Sequence, residues 1–454
     1  MILKGMIVFL MLSKGSTLSI PGDRETISRR GKNMKKLIAV ALCLVLVLSC
    51  TAVAFAEEIS ISWWGGDSRH EATQEAVAAF EAAEGVTVKT HYAAWSGWEE
   101  TMSGSFVAGN AEDVDMVNWN WLFSFVDENG DSYFYDLNEL GDIIDLSQWS
   151  EAMLASCTID GKLLALPNAL TGRIFYWNKT TFDQAGIEFP TTYAGLLEAG
   201  ATFKEKLGDD YYPLALGAYD KMILMVYMLE SKYGKAWVVD GALNYTVEEI
   251  AEGIQLIQGL EDAHAIPTAA TLAGDGADSL DKNDKWITGK YAGVWEWDTS
   301  ASKCQNALAE GQEFVVGEEL TDLGEYKGGF TKVAHAFAIA RNSQNIELAA
   351  KLINFMNNEE EGIRARKSEY GIPASAKGLA LCSEEGLINA TVAEANGKIL
   401  DWCSFQLDPK FEDGALKNTD GVYQDVFEGL SYQDYTVEEA AQVLFDGVTE
   451  VLAK

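Results

Sequence analysis

Thirteen tryptophans stand in this 454-residue chain, eight of them between Trp63 and Trp177, and they recur beside short polar side chains. Trp63-Trp64 precedes Gly65-Gly66, Asp67 and Arg69; Asn120 lies between Trp119 and Trp121; Glu296 lies between Trp295 and Trp297. An indole face packs on flat C–H surface, while carboxylate, amide and guanidinium groups meet hydroxyls with hydrogen bonds. Rings interleaved with such groups are what an oligosaccharide cleft requires, although any single tryptophan serves a core equally well.

Strand parity sharpens the choice, because neighbours on a strand point to opposite faces. One of Trp63 and Trp64 is expected in the core and the other in the cleft. Trp119 and Trp121 are expected to share one face, as are Trp295 and Trp297. Asp67 and Arg69 follow the first strand, where ligands of open α/β sheets sit, with surface pairing or helix capping as the alternative. His70 has no partner for metal binding or proton transfer and reads as part of a helix start.

Other chemistries find less support. There is no Gly-x-Ser-x-Gly elbow, no phosphate loop and no His-Glu-x-x-His. The four histidines show no metal-ligand spacing, so neither a metal nor another cofactor is expected. Asp127-Glu128-Asn129-Gly130-Asp131 lacks the full calcium-loop pattern and reads as a turn. Carboxylate pairs can be drawn almost anywhere in so acidic a chain and discriminate nothing.

The elements that must position these residues begin with an alternating strand from Ile59 that ends on the two tryptophans. A helical pattern over 71–83 closes at Gly85, a second strand covers 86–92, a helix covers 98–108 and a short strand covers 113–117. Strands alternating with helices predict a mainly parallel sheet.

At the amino end, Lys35-Lys36, an apolar run over 37–48 and Ala54-Phe55-Ala56 form a signal-peptide pattern too short to span a bilayer. Met34 is the expected true start, which makes 1–33 an upstream extension. Cleavage is expected after Ala56, with lipid attachment at Cys50 left open. The mature chain then has 398 residues and a net charge of −41. That field repels nucleic acid and anionic membrane surfaces. Four cysteines remain, Cys157, Cys304, Cys382 and Cys403, too few and too scattered for a disulfide scaffold.

The middle of the chain carries Gly161-Lys162-Leu163-Leu164-Ala165-Leu166-Pro167, then Tyr176-Trp177-Asn178-Lys179, then Phe182-Asp183-Gln184-Ala185-Gly186 and Pro190 before Thr191-Thr192-Tyr193. Gly289-Lys290-Tyr291-Ala292-Gly293, Ala338 to Asn345 and Gly371-Ile372-Pro373-Ala374 follow in order. Together these resemble the extracellular solute-binding proteins of family 1, the sugar-binding subunits of ATP-driven importers. The chain departs from that pattern at Leu164 and Trp177, where the family has tyrosine, at Tyr193, where it has tryptophan, and at Gly293, where it has methionine.

The resemblance implies a periplasmic-binding-protein-like α/β fold of two lobes, 57–168 with 335–374 and 171–331 with 378–454. The hinges implied are near 168–170, 332–335 and 374–377. It implies a non-enzymatic receptor, expected as a monomer, that closes on an oligosaccharide and delivers it to the permease subunits of an ABC importer. It places Trp119 and Trp177 where the family has cleft aromatics, and Arg173, Tyr219 and Asp220 on the second lobe. A neutral sugar is the expected ligand, although Arg69, Arg173 and Lys332 leave an acidic one open. The alternative is a secreted carbohydrate-active enzyme or a surface glycan-binding protein.

Overall fold

Ile59, Ile61 and Trp63 alternate with Ser60, Ser62 and Trp64, and nearly all of them are buried, because this strand lies inside a sheet covered on both faces. The computed structural model describes residues 57–277 and 279–454; the expected start at Met34, the signal peptide and Cys50 lie outside them. Strand β1 (Glu58–Trp64) pairs in parallel with β2 (Thr87–Ala93) on one side and β3 (Val114–Val117) on the other. The crossovers are the helices Asp67–Glu84 and Trp98–Ala108. Each ends at a glycine in the left-handed region, Gly85 and Gly109, as expected where a helix must turn back toward a strand.

Two long strands join the rest. After a small hairpin of β4 (Thr158–Ile159) and β5 (Lys162–Leu163), β6 runs from Leu166 to Asn178. A second hairpin, β7 (Val238–Val239) with β8 (Ala242–Leu243), precedes β9 (Gly293–Trp297), β10 (Phe314–Val316), β11 (Phe330–Ile339) and β12 (Phe405–Gln406). The main sheet runs β10-β6-β11-β3-β1-β2, with β9 on the far half of β6 and β12 on the near half of β11. Strands β6 and β11 are antiparallel from Gly172–Thr331 to Leu166–Phe337, and their register shifts on either side of His335. Such bulges bend a strand locally.

One hydrophobic core gathers side chains from 59–166 and 333–370, including Phe80, Met116, Phe337 and Ile353. A second gathers Phe175, Trp177, Met222, Ile254 and Leu444 around the helix Ala218–Tyr233. A smaller cluster holds Ile174, Tyr176, Trp286 and Ile399. Alternation along β6 therefore sends Phe175 and Trp177 to one cluster and Ile174 and Tyr176 to the other.

The helix Ala376–Glu384 packs on the helices Ile346–Asn358 and Glu360–Arg366, and Ser375 Oγ donates to Asn357 O at 2.8 Å. The next helix, Ala390–Trp402, packs on β6. The segment Tyr212–Leu216 forms isolated bridges to Tyr291 and Val294 rather than a strand. Cys157, Cys304, Cys382 and Cys403 are all free thiols.

Candidate functional site

Arg173 organises one half of the site. It is nearly fully buried in β6; its Nη1 donates to Asp220 Oδ1 at 2.6 Å and to Trp295 O at 2.7 Å, and Nη2 lies 3.6 Å from Glu296 Oε1. Its guanidinium carbon sits 4.9 Å from the Trp297 ring centre, 5.2 Å from Tyr219 and 5.7 Å from Trp295. Burial pulls this cation's pKa down, but Asp220 and Glu296 more than reverse that, so the charge is retained. Asp220 stands in the first turn of its helix and also accepts from Gly217 N–H at 3.1 Å, where the helix dipole favours a carboxylate.

Glu412 organises the other half. It ends the turn Pro409–Glu412 and is 1% exposed. Its carboxylate accepts from Lys332 Nζ, from Lys417 Nζ at 2.8 Å, from Tyr219 OH at 2.8 Å and from Asn118 Nδ2 at 3.3 Å. Asn120 Nδ2 donates to its backbone carbonyl at 2.8 Å. Burial would raise this carboxyl, but Lys332 and Lys417 hold it well below the usual carboxylate range. Burial pushes Lys332 down to about 8, against the opposing pull of Glu412, so the pair stays ionised at neutral pH. Lys332 Nζ also lies 4.7 Å from the Trp297 ring centre, which links the two halves.

An aromatic wall completes the site. Trp64 meets Trp95 edge-on at 5.1 Å, and Trp95 stacks with Trp121 at 6.0 Å. Lys417 Nζ stands 5.0 Å over Trp95 and 4.6 Å over Tyr219. Nearby, burial pushes the Glu99 carboxyl up to about 7, with Lys417 opposing and Glu412 adding to the rise. Trp95, Tyr219 and Trp297 keep part of their surface exposed. The site thus offers three accessible rings and several charged and amide groups between the first core and the second.

Of the residues singled out from sequence, Tyr219, Asp220, Trp295, Glu296 and Trp297 come together around the Arg173 guanidinium, Asn120 joins Glu412, and Trp64 and Trp121 pack with Trp95. Trp295 is 2% exposed, so it backs this group from within the second core. Other placements differ. Trp177 is wholly buried, stacked on Phe175 at 5.3 Å, because β6 has carried it past the site into the second core. Trp63 stacks on Tyr92 at 4.7 Å and donates from Nε1 to His70 Nδ1, leaving Trp64 on the site side. Trp119 and Trp121 do not share a face, because β3 ends at Val117 and a helical turn follows. Trp119 donates to Ser156 O at 2.7 Å. Asp67 is exposed in the first turn of its helix, and Arg69 is spent on backbone carbonyls of Glu369, Trp64 and Thr299.

Sequence reasoning passed over Trp95, Glu99, Asn118, Glu412 and Lys417. Trp95 carried the same ring-beside-polar signal as the others. Glu412 and Lys417 carry no motif, and their place depends on the fold of the last fifty residues.

Residues 75–403 match the family described as bacterial extracellular solute-binding protein. A Brucella abortus binding protein is 23% identical over 377 residues, covering 81% of this chain and 87% of its own. Among solved structures, a periplasmic solute-binding protein of Pectobacterium atrosepticum is 31% identical, with a TM-score of 0.81 over 87% of this chain and 99% of its own. A periplasmic oligogalacturonide-binding protein of Yersinia enterocolitica, solved with saturated digalacturonic acid, is 29% identical, with a TM-score of 0.82 over 87% of this chain and 98% of its own. The likeness of fold and sequence runs over most of the chain in each case, and the chain belongs to the bacterial extracellular solute-binding protein family.

Proposed function

We propose that this protein is an oligosaccharide receptor that hands its ligand to the permease subunits of an ATP-driven importer. The observation that carries this reading is the set of partly exposed rings, Trp95, Tyr219 and Trp297, beside Asn118, Asn120, Arg173, Lys332 and Glu412. Rings of this kind stack on sugar faces while the polar groups read hydroxyls. The ligand of the Yersinia relative, an oligosaccharide, supports the same class.

In this reading the two lobes are the bodies around the two main cores. The paired strands β6 and β11, bulged at His335, are the place where they bend to close on the sugar. The protein acts outside the cell membrane, as a monomer, and leaves the sugar chemically unchanged.

Calorimetric titration of the mature protein with an oligosaccharide panel tests the proposal. Stoichiometric binding, recovery of intact sugar and a fall in radius of gyration on binding are expected. Steady release of cleaved product, or no binding to any sugar, would overturn it.

A further inference from the structure

The donors around Glu412 form an unusual group for a chain with so large an excess of acid. Two lysine ammonium groups, a phenol and a primary amide converge on one carboxylate that is almost fully withdrawn from water. They come from four separate parts of the chain. Asn118 follows β3, Tyr219 opens the helix Ala218–Tyr233, Lys332 lies in β11 beside its bulges, and Lys417 ends the short helix Gly414–Lys417. Convergence of charge-assisted donors on both oxygens is the geometry that recognises a carboxylate.

A protein carboxylate in that position meets the cost of burying two cations, because a buried charge left unpaired is strongly destabilising. It also joins Glu412 to Asn118 and Asn120, while the lysines paired with it stand over the partly exposed rings of Trp297, Trp95 and Tyr219. Replacing it with a carboxylate from outside conserves charge and keeps every donor satisfied. Tyr219 and Trp297 would lie beside the incoming group as stacking surfaces, since Lys417 already stands over Tyr219 and Lys332 over Trp297.

We infer that Lys332, Lys417, Tyr219 and Asn118 form a carboxylate receptor in which Glu412 is a built-in stand-in, displaced when an acidic sugar binds. The inference rests on the oligosaccharide reading and narrows it to sugars carrying a carboxylate, of the uronic acid class. Glu412 thereby acts as a specificity-determining residue. A neutral sugar offers the two lysines nothing in exchange for Glu412, whereas a uronate does.

The test uses the full mature chain titrated with digalacturonate and with the corresponding neutral digalactose, at fixed ionic strength. Wild type is expected to prefer digalacturonate by at least tenfold. Glu412→Gln should bind digalacturonate at least tenfold more tightly than wild type, because the competing carboxylate is gone. Lys417→Met, at a half-buried position, should bind it at least tenfold more weakly, and this variant keeps the test decisive if Glu412→Gln does not fold. Weaker digalacturonate binding by Glu412→Gln, unchanged binding by Lys417→Met, or wild-type preference for digalactose would overturn the inference while the oligosaccharide reading stands. Failure of both disaccharides and of the wider panel would sink both.

Discussion

Trp177 and Gly293 face each other across β6 and β9, and a Cβ placed on Gly293 would lie 2.3 Å from Trp177 Cε3. These are two of the positions at which the chain departs from the pattern of the family it resembles, tyrosine becoming Trp177 and methionine becoming Gly293. The Trp177 ring fills much of the space that a side chain at position 293 would need, and the Pro213 carbonyl fills the rest. Gly317 closes the same ring from another side, since its Cβ would lie 2.5 Å from Trp177 Nε1.

Gly293→Ala should therefore overpack the second core and cost about 1–3 kcal/mol. The same substitution made with Trp177→Tyr should cost clearly less than the two single changes added together. Urea unfolding of the two single variants and the double variant measures this coupling, and strict additivity would separate the two positions.

Trp177→Ala and Trp297→Ala should fail in opposite ways. The first removes a ring that is wholly buried in the second core, and should cost about 3–5 kcal/mol of stability with the affinity of the folded fraction unchanged. The second removes a partly exposed ring beside Arg173 and Lys332, and should weaken sugar binding by about 2 kcal/mol with little loss of stability. Thermal unfolding and titration calorimetry on both variants distinguish the two roles.

The split between these tryptophans marks how far the sequence could be read. The opening strand, the helix that ends at Gly85 and the helix Trp98–Ala108 were legible because periodicity and terminal glycines act locally. The group around Arg173 was legible because Trp295, Glu296 and Trp297 sit on one strand that pairs with Arg173 itself. The burial of Trp177 was not legible because local pattern says nothing about where along a thirteen-residue strand the site ends and the core begins. The shared face expected of Trp119 and Trp121 fails because parity holds only while the strand continues, and β3 stops at Val117. Glu412 and Lys417 were out of reach because they meet Asn118 and Tyr219 only through contacts spanning hundreds of residues.

Arg173→Met should unfold the protein more readily than the loss of one ion pair at a surface would. The guanidinium is 3% exposed and serves Asp220 and the Trp295 carbonyl while standing against Glu296. Removing it leaves two acidic groups facing each other with no cation between them. A loss of about 3–5 kcal/mol is expected, with part recovered by adding Asp220→Asn. Chemical denaturation of the single and double variants checks both statements.

Glu99 should give the protein a measurable pH signature. Its ordinary pKa is 4.5, and in the folded chain burial raises it to about 7, with Glu412 adding to the rise and Lys417 opposing it. A folded-state pKa above the unfolded value means that the folded protein binds the extra proton between these limits. The contribution of Glu99 to stability is therefore fully present below pH 4.5 and is lost as pH rises through 7. Glu99→Gln, neutral at every pH, should match wild type near pH 4.5 and be the more stable of the two at pH 8. Unfolding free energies measured in steps from pH 4.5 to pH 8 should show the difference opening across this window, and parallel profiles would show that Glu99 titrates as an ordinary carboxylate.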